Sequence, residues 1–455
     1  EIRQARLEKL NLLISKGINP FPTKTNQDYT NKEANEKFEV LSASGKSISL
    51  VGRILSLRAQ GKIVFFHFND GTDKFQALLK SGEPISEESF QLFTDAFDIG
   101  DFVEVKGTLF LTKKEEKTIL AEEVRMLSKS LRPLPEKYHG LQDIEERFRR
   151  RYLDLISSEE TKDRFIQRSK IVSEIRKTLD EAGYLEVETP VLQPIYGGAS
   201  AEPFTTHHNA LDNDFFLRIS DELYLKRLMV GGFTKIYEIA RDFRNEGIDH
   251  THNPEFTMLE FYEAYSDADK QRAFVEQMIR RVAQLTPECN INFDKPFAVK
   301  KYTDIITEKT GTKDPFTLPV KKLDELFKSF RHEIIEPTFV IDYPIDMLPL
   351  TKRKEGETDV VDAFQLYAGG IELVKAFSEL NDPIDQRRRF EDQEKNKEAG
   401  DKEAQVLDED FLEAMEHGIP PAGGVGIGID RLVMLLTNTS NIKEVILFPT
   451  LKPRG

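Results

Sequence analysis

One cysteine, Cys289, is all the thiol that this 455-residue chain contains. A lone thiol excludes a disulfide framework and a cysteine-ligated zinc site, and it matches a reducing compartment. Basic charge is also short: 64 Lys and Arg stand against 79 Asp and Glu, for a net charge of −15. Binding phosphate by bulk charge needs a basic excess, so any nucleic-acid contact must be local. No run of about 18 apolar residues exists, so no membrane helix is expected. The N-terminal "EIRQARLEKLNLLISKG" is a charged amphipathic helix pattern without an uninterrupted apolar stretch. The expectation is a soluble, cytoplasmic protein with no membrane partner. Phosphate motifs are missing too. No glycine-rich loop ends in a P-loop lysine, and no G-x-G continues into the third glycine and βαβ unit of a dinucleotide fold.

The length is about three times that of a typical domain, which predicts more than one. After a helix and a polar stretch to about Gly45 come the runs "SISLVGRILSL", "KIVFFHFND", "KFQALLK", "DFVEVKGTLFL" and "KTILAEEVRML". Five strand-like runs parted by Gly and Asp turns predict a small β-barrel, best read as an OB-fold. The two prolines of "SKSLRPLPEKYHGL" then break all periodicity and mark a linker. The boundaries that follow are residues 1–140 for helix, barrel and linker and 141–455 for a second domain. In that domain Phe165, Ile166, Ile171, Val172, Ile175 and Leu179 trace a helix, Gly183 stops it, and a strand ends at Pro190. Residues from about 267 to 335 read as an inserted helical subdomain, and 386–409 as a charged helix or loop.

"RDFRNEGIDHTHNPEFTMLEFYEAY", from Arg241 to Tyr265, reads as two antiparallel strands joined by a loop. Glu238, Ala240, Asp242 and Arg244 would share one face, and Phe256, Met258, Glu260 and Tyr262 another. A salt-bridged sheet surface explains the charges but not the rings. Rings alternating with a carboxylate opposite an arginine suit a site that stacks a planar base, holds a cation and neutralises a phosphate. Glu246, His252 and Asn253 add donors and acceptors from the loop. Near the C-terminus, the glycines of "PPAGGVGIGIDRLVML" let a strand approach a ligand closely, and Asp430 and Arg431 open an apolar helix. With the lysine motif absent, Arg244 and Arg431 are the candidate phosphate holders.

These segments resemble motifs 1, 2 and 3 of the class II aminoacyl-tRNA synthetases. The finer resemblance is to the lysyl-tRNA synthetases, through "LRPLPEKYHGLQDIEERFRRRYLDLI", "LEVETPVL", "FRNEGIDHTHNPEFTMLEFYEAY", "FSELNDP" and "GIGIDRLVMLLTNTSNIKEVILFP", in order along the chain. The resemblance implies an α+β fold: an OB-fold barrel that binds the anticodon, and a catalytic domain built on an antiparallel sheet flanked by helices. It implies ATP-dependent activation of L-lysine, transfer to the 3′ end of tRNA(Lys), Mg2+ as cofactor and a homodimer formed through motif 1. It also implies catalytic roles for Arg244 and Arg431. ATP would meet these two with Glu246, His252, Asn253, Phe256 and Glu372. Lysine would meet Gly198, Glu222, Glu260, Tyr262, Phe377 and Glu379, with Glu222 and Glu379 as the carboxylates for its ε-ammonium. Phe65 and Gln76 would read the central anticodon base, with Arg53 and His67 beside them.

Two positions depart from the family pattern. Gln365, in "VDAFQLYAGGIEL", stands where the first of two metal carboxylates belongs and leaves Glu372 as the second, so the number of Mg2+ ions stays open. Lys375 stands where an asparagine is usual, on the same strand face as Glu379. It is expected to turn toward Glu372 or an ATP phosphate, making up for the changed charge at Gln365, rather than to mimic substrate at Glu379. Two readings compete with lysine activation: a tRNA-binding paralogue with a weakened metal site, and a sister synthetase for aspartate or asparagine. The latter should carry a cation where Glu222 and Glu379 stand.

Overall fold

The barrel closes because alternate residues of each strand can be buried together on one side. The computed structural model describes residues 1–135, 141–398 and 405–454, in two compact units, Glu1–Gly140 and Leu141–Gly455. Residues 136–140 of the expected linker and 399–404 of the expected charged stretch lie outside the described residues. In the first unit, helix α1 (Ile2–Ser15) precedes strands β1 (Ile48–Gln60), β2 (Ile63–Asn69) and β3 (Lys74–Lys80). Helix α2 (Glu87–Ala96) and strands β4 (Phe102–Leu111) and β5 (Lys117–Ser128) complete it. The strands pair in the order β1-β2-β3-β5-β4, and β4 returns to β1. Along β2, Val64, Phe66 and Phe68 are buried while Phe65 and His67 point outward. Ser86 caps α2 by accepting from the Ser89 backbone N–H, and the helix lays Phe93 on Phe66 with ring centroids 5.3 Å apart. Each such buried aliphatic or aromatic side chain contributes about 1.5–3 kcal/mol relative to exposure.

The second unit holds α3 (Glu159–Glu181), β6 (Leu185–Glu186), β7 (Leu192–Gln193), β8 (Thr205–His208), β9 (Asn213–Leu217) and α4 (Glu222–Val230). It continues with β10 (Lys235–Phe243), β11 (Glu255–Ala264), α5 (Ala268–Ala283), β12 (Ala298–Lys301), β13 (Thr338–Ile341) and β14 (Ala363–Ala368). Strand β15 (Ile371–Ser378), strand β16 (Ala422–Gly428) and helix α6 (Ile429–Leu436) carry the rest of the sheet and its cover. Eight strands form one sheet in the order β12-β13-β14-β15-β16-β11-β10-β6, antiparallel through its centre, while β7, β9 and β8 make a small separate sheet. The central strands are long because their rows meet in register: Glu238 faces Glu260, Ala240 faces Met258 and Asp242 faces Phe256. Helix α3 buries Ile171, Ile175 and Leu179 on the sheet, a spacing of one helical turn each. Ile166, expected on the same apolar stripe, is exposed.

Residues 267–335 are largely helical, at Ala268–Ala283, Tyr302–Thr310 and Val320–Phe330, but they are built into the main sheet and core instead of standing apart. Strand β12 joins the edge of the main sheet in parallel with β13, and α5 buries Val275, Met278, Ile279 and Val282 in the same core as α3 and α6. Charged outer faces on α5 hide from a sequence reading that its inner face is core. Residues 383–398 of the charged region form a helix.

Candidate active site

Three strands and two helix ends open one cleft of about 410 Å³ on the exposed face of the sheet centre. Strand β16 forms its floor, since Gly424, Gly426 and Gly428 stand opposite Tyr262, Glu260 and Met258 of β11. Gly424 also faces Phe377 of β15. A Cβ at Gly424 would lie 1.9 Å from Glu379 Oε1 and 2.5 Å from the Tyr262 ring, so only glycine lets these groups meet over the strand. Gly198 lies at φ +84°, and a Cβ there would come within 3.1 Å of Ser220 and Glu222.

One end of the cleft is cationic. Arg244 follows β10 directly, donates from Nε and Nη2 to the Ile219 carbonyl at 3.3 Å, and holds its guanidinium 5.0 Å from the centre of the Phe256 ring. Arg431 sits in the first turn of α6, half-buried, and desolvation of its guanidinium lowers its pKa from the usual arginine value. Its Nη2 donates to His252 Nε2 at 2.9 Å and its Nη1 to the Glu372 carbonyl at 3.3 Å. That leaves the His252 proton on Nδ1, facing Asp249 at 2.9 Å. Burial raises the Asp249 carboxyl, but hydrogen bonds from the Thr251 backbone and from His252 bring it down to about 2. Glu246 lines the cleft from the exposed loop. Asn253 lines it too, with its side chain spent on backbone: Nδ2 donates to the Glu255 carbonyl and Oδ1 accepts from the Thr450 N–H.

The other end is a nest of carboxyl groups. Glu260 accepts from Ser220 Oγ and from Tyr262 OH, both at 2.9 Å. Burial, then the charges of Glu222 and Asp242, raise Glu260 to about 7. Asp221, Asp242 and Glu260 approach within 4.8 Å of one another, and burial followed by the Glu260 charge raises the Asp221 carboxyl well above the usual range. Two members of the expected charged row are structural, since Arg218 pairs with Glu238 at 2.6 Å and with Asp242 at 3.4 Å. Glu222 opens α4 and lines the cleft; Glu379 follows β15 and is 1% exposed. Between them lies Lys226, a residue the sequence reading passed over. Its Nζ is 2.6 Å from Glu222 Oε1, pairs with Glu379 Oε2, and lies 5.6 Å from the centre of the Phe377 ring.

The two departures meet as expected in one strand pair, with Gln365 directly opposite Lys375. The expected contact between Lys375 and Glu372 is not formed, and Gln365 is engaged elsewhere. Gln365 is buried, and its Oε1 accepts from Tyr343 OH at 2.9 Å and Tyr367 OH at 2.6 Å, so that oxygen is turned from the cleft and taken. Gln365 is therefore no metal ligand here. Lys375 lines the cleft, exposed, and among the described residues it makes no ion pair with Glu372 or Glu379. Glu372 is half-buried on the cleft wall, its Oε2 3.2 Å from Tyr367 OH, whose one proton has its shorter contact with Gln365.

In the barrel, Phe65 and His67 share the outer face of β2, and His67 stands opposite Gln76 of β3. Gln76 Oε1 accepts from Thr118 Oγ1 at 2.7 Å, and His67 Nε2 faces Glu116 at 2.7 Å. Arg53 is set apart, its guanidinium stacked 4.1 Å from the centre of the Phe102 ring.

The profile of the tRNA synthetases class II (D, K and N) matches residues 143–452, and that of the OB-fold nucleic acid binding domain matches residues 48–127. The chain is 45% identical to the lysine–tRNA ligase of Roseiflexus sp. (strain RS-1), across 100% of this chain and 99% of that one. It is 46% identical to the lysine–tRNA ligase of Carboxydothermus hydrogenoformans, covering 100% and 98%, and 46% identical to that of Aquifex aeolicus, covering 90% and 73%. A cleft with arginines at one end and carboxylates at the other, carried on a central antiparallel sheet, thus has its sequence counterpart, and the chain belongs to the class II tRNA synthetases of the D, K and N group.

Proposed function

We infer that the chain activates lysine with ATP to lysyl-adenylate and passes the lysyl group to the 3′ end of tRNA(Lys). The observation that carries the choice of lysine is the buried pair Glu222 and Glu379, of which Glu222 lines the cleft and Glu379 lies against Gly424 of its floor. A sister enzyme for aspartate or asparagine would need donors facing the side-chain carbonyl there. A buried ammonium without partners would cost several kcal/mol, so this pair is a strong discriminator. In the first step a lysine carboxylate oxygen attacks the α-phosphorus, that bond forms, and the bond to the bridging oxygen breaks to release pyrophosphate. In the second, a terminal tRNA hydroxyl attacks the carbonyl carbon, loses its proton and expels AMP.

No covalent enzyme intermediate is required, so the chain's contribution is orientation and charge stabilisation. Arg244 faces the α-phosphate and Arg431 the γ-phosphate, with adenine between Phe256 and the Arg431 guanidinium and its amino group toward Glu246. His252 fixes Arg431, Asn253 fixes the loop, and Glu260 with Tyr262 receives the α-ammonium beside Gly198. Glu372 would hold Mg2+, which supplies charge neutralisation at the ATP phosphates when bound. ATP–pyrophosphate exchange with each of the twenty amino acids tests the reading: lysine should support exchange, and exchange with aspartate or asparagine instead would overturn it.

The outward Phe65 and the neighbouring Gln76 and His67 support anticodon reading by stacking and edge contacts, with Arg53 alongside. Phe65→Ala is expected to weaken tRNA charging by about 1–3 kcal/mol, the value of one base–aromatic stack, while leaving pyrophosphate exchange nearly intact. Equal loss of both would reject the assignment. Homodimer formation is supported by the sheet-edge strand β6 and the exposed Leu185, Val191, Leu192, Leu447 and Phe448 of the same unit. Sedimentation at micromolar concentration should show a dimer, and an active monomer would refute it. No helix among the described residues is long and apolar enough to cross a membrane, and translation places the working enzyme in the cytoplasm.

A further inference from the structure

The ammonium that already sits on the carboxylate pair belongs to the chain itself. Lys226 is one turn along α4 from Glu222, where an i,i+4 pair ordinarily lies on a surface, yet its side chain is 1% exposed. Its Nζ bridges Glu222 Oε1 and Glu379 Oε2, which come from a helix start and a strand end far apart in sequence. We propose that Lys226 is a resident positioning residue: it ties the two carboxylates together from the helix side and leaves one unbalanced negative charge for the side-chain cation of the substrate. This deepens the lysine reading of the same site and rests on it.

Two observations place Lys226 behind the pair and not in the substrate's position. The cleft is lined by Glu222, Phe377 and Gly424, whereas neither Lys226 nor Glu379 is part of that lining. Glu379 Oε1, the oxygen not paired with Lys226, lies against Gly424 on the cleft floor and has no hydrogen-bond partner among the described residues. Withdrawal of Lys226 toward solvent is also blocked, because Leu225 and Met229 bury the same helix in the core. With Lys226 in place and both carboxylates ionised, the charge at the pair is minus two plus one, and one incoming ammonium completes it. Without Lys226, two buried carboxylates of like charge cannot both stay ionised, and one takes up a proton.

The acidity of the site points the same way. Burial raises Lys226's neighbour Glu379, the Lys226 charge opposes this, and Glu222 and Glu260 add to it. Burial lowers Lys226, and the charges of Glu222 and Glu379 more than restore it. The other titratable groups facing the pair are Tyr262 on β11 and Asp221 at the start of α4. The ammonium-binding form of Glu379 is the deprotonated one, present above its pKa and lost as pH falls. Removing Lys226 moves that pKa further up.

The test compares the full-length wild type with Lys226→Met in lysine-dependent pyrophosphate exchange from pH 6.5 to 9, with norleucine as the uncharged analogue and thermal melting as the folding control. The wild type must first prefer lysine; if it does not, the lysine reading fails, independently of Lys226. Given that preference, Lys226→Met should raise the lysine KM by about tenfold or more and leave the ATP KM and kcat within about twofold. It should also lower discrimination against norleucine and move the fall in lysine KM to higher pH. An unchanged lysine KM and pH profile, or a lowered KM, would overturn the proposal, the latter because it would make Lys226 a competitor. Should the variant not fold, a crystal structure of the wild type with lysine decides: Lys226 Nζ still bridging both carboxylates supports the proposal, and its displacement from either refutes it.

Discussion

Arg244→Ala is expected to lower lysyl-adenylate formation by about 100-fold or more while the protein stays folded. The arginine follows the end of β10, half-buried, and among the described residues its side chain donates twice to one carbonyl, makes a face contact with Phe256 and opposes the burial of Asp242 with its charge. Losing these contacts should destabilise the fold by about 1–3 kcal/mol, the range of an ordinary substitution, which a unit of this size survives. In the reaction the same guanidinium meets the charge that grows on the α-phosphate as the lysine oxygen attacks. A preorganised donor at developing charge is worth about 100- to 1,000-fold in rate. The measurement is pyrophosphate exchange at saturating ATP and lysine, where a transition-state contact lowers kcat and not only binding. Arg431→Ala should act similarly but less cleanly, since its loss also frees His252 and the Glu372 carbonyl. Near-normal exchange in folded Arg244→Ala protein would reject the phosphate-holding role.

Much of this site was legible because its chemistry is unusual at short range. Rings and carboxylates alternating from Phe256 to Tyr262 stand out at the period of a strand, and the observed register sets that row against Glu238, Ala240 and Asp242 as the alternation predicts. Barrel strands were legible for the same reason. What could not be read was burial. Glu222 and Lys226 carry the spacing of an ordinary surface pair, and only the packing of α4 onto the sheet turns that pair inward to meet Glu379. Ser220, which donates to Glu260, and Asp221, which crowds it, had no periodic signal at all. Of the Lys375 expectation, only the contact with Glu372 is overturned: no described acid lies within ion-pair reach of that exposed side chain, and the lysine at Glu379 comes from a helix instead. Gln365 likewise lies opposite Lys375, yet its fate was settled by Tyr343 and Tyr367, whose hydroxyls converge on it from another strand end and its own. Helix α5 was misassigned to an appendage because its outer face is charged, whereas its inner residues fill the main core.

Gly424→Ala carries the second large effect, and it separates the cleft from the fold. The added methyl would point toward Glu379 Oε1 and the Tyr262 ring at distances no contact tolerates. Neither neighbour can step aside at low cost. Glu379 is 1% exposed and paired with Lys226, and Tyr262 is 3% exposed with its hydroxyl donating to Glu260. Because β16 is held on both edges, by β11 and β15, the backbone cannot yield either, and the side chains of the lysine site must shift. Overpacking of this kind destabilises by about 1–3 kcal/mol, which a unit of this size survives. The site should not. A displacement of about 1 Å at a group that orients substrate can lower the rate by about 100-fold, and here the methyl also fills space beside the carboxylate that receives the ammonium. Exchange activity should therefore fall by about 100-fold or more, chiefly through the lysine KM, with the melting temperature lowered by only a few degrees. Gly426→Ala is the control, since a Cβ there meets the flexible Met258 Cε at 3.3 Å and the Lys375 carbonyl at an ordinary 3.7 Å, and its effect should be much smaller. If Gly424→Ala retained a wild-type lysine KM, the lysine side chain could not lie between Glu379, Tyr262 and the strand, and the placement of substrate at this end of the cleft would be wrong.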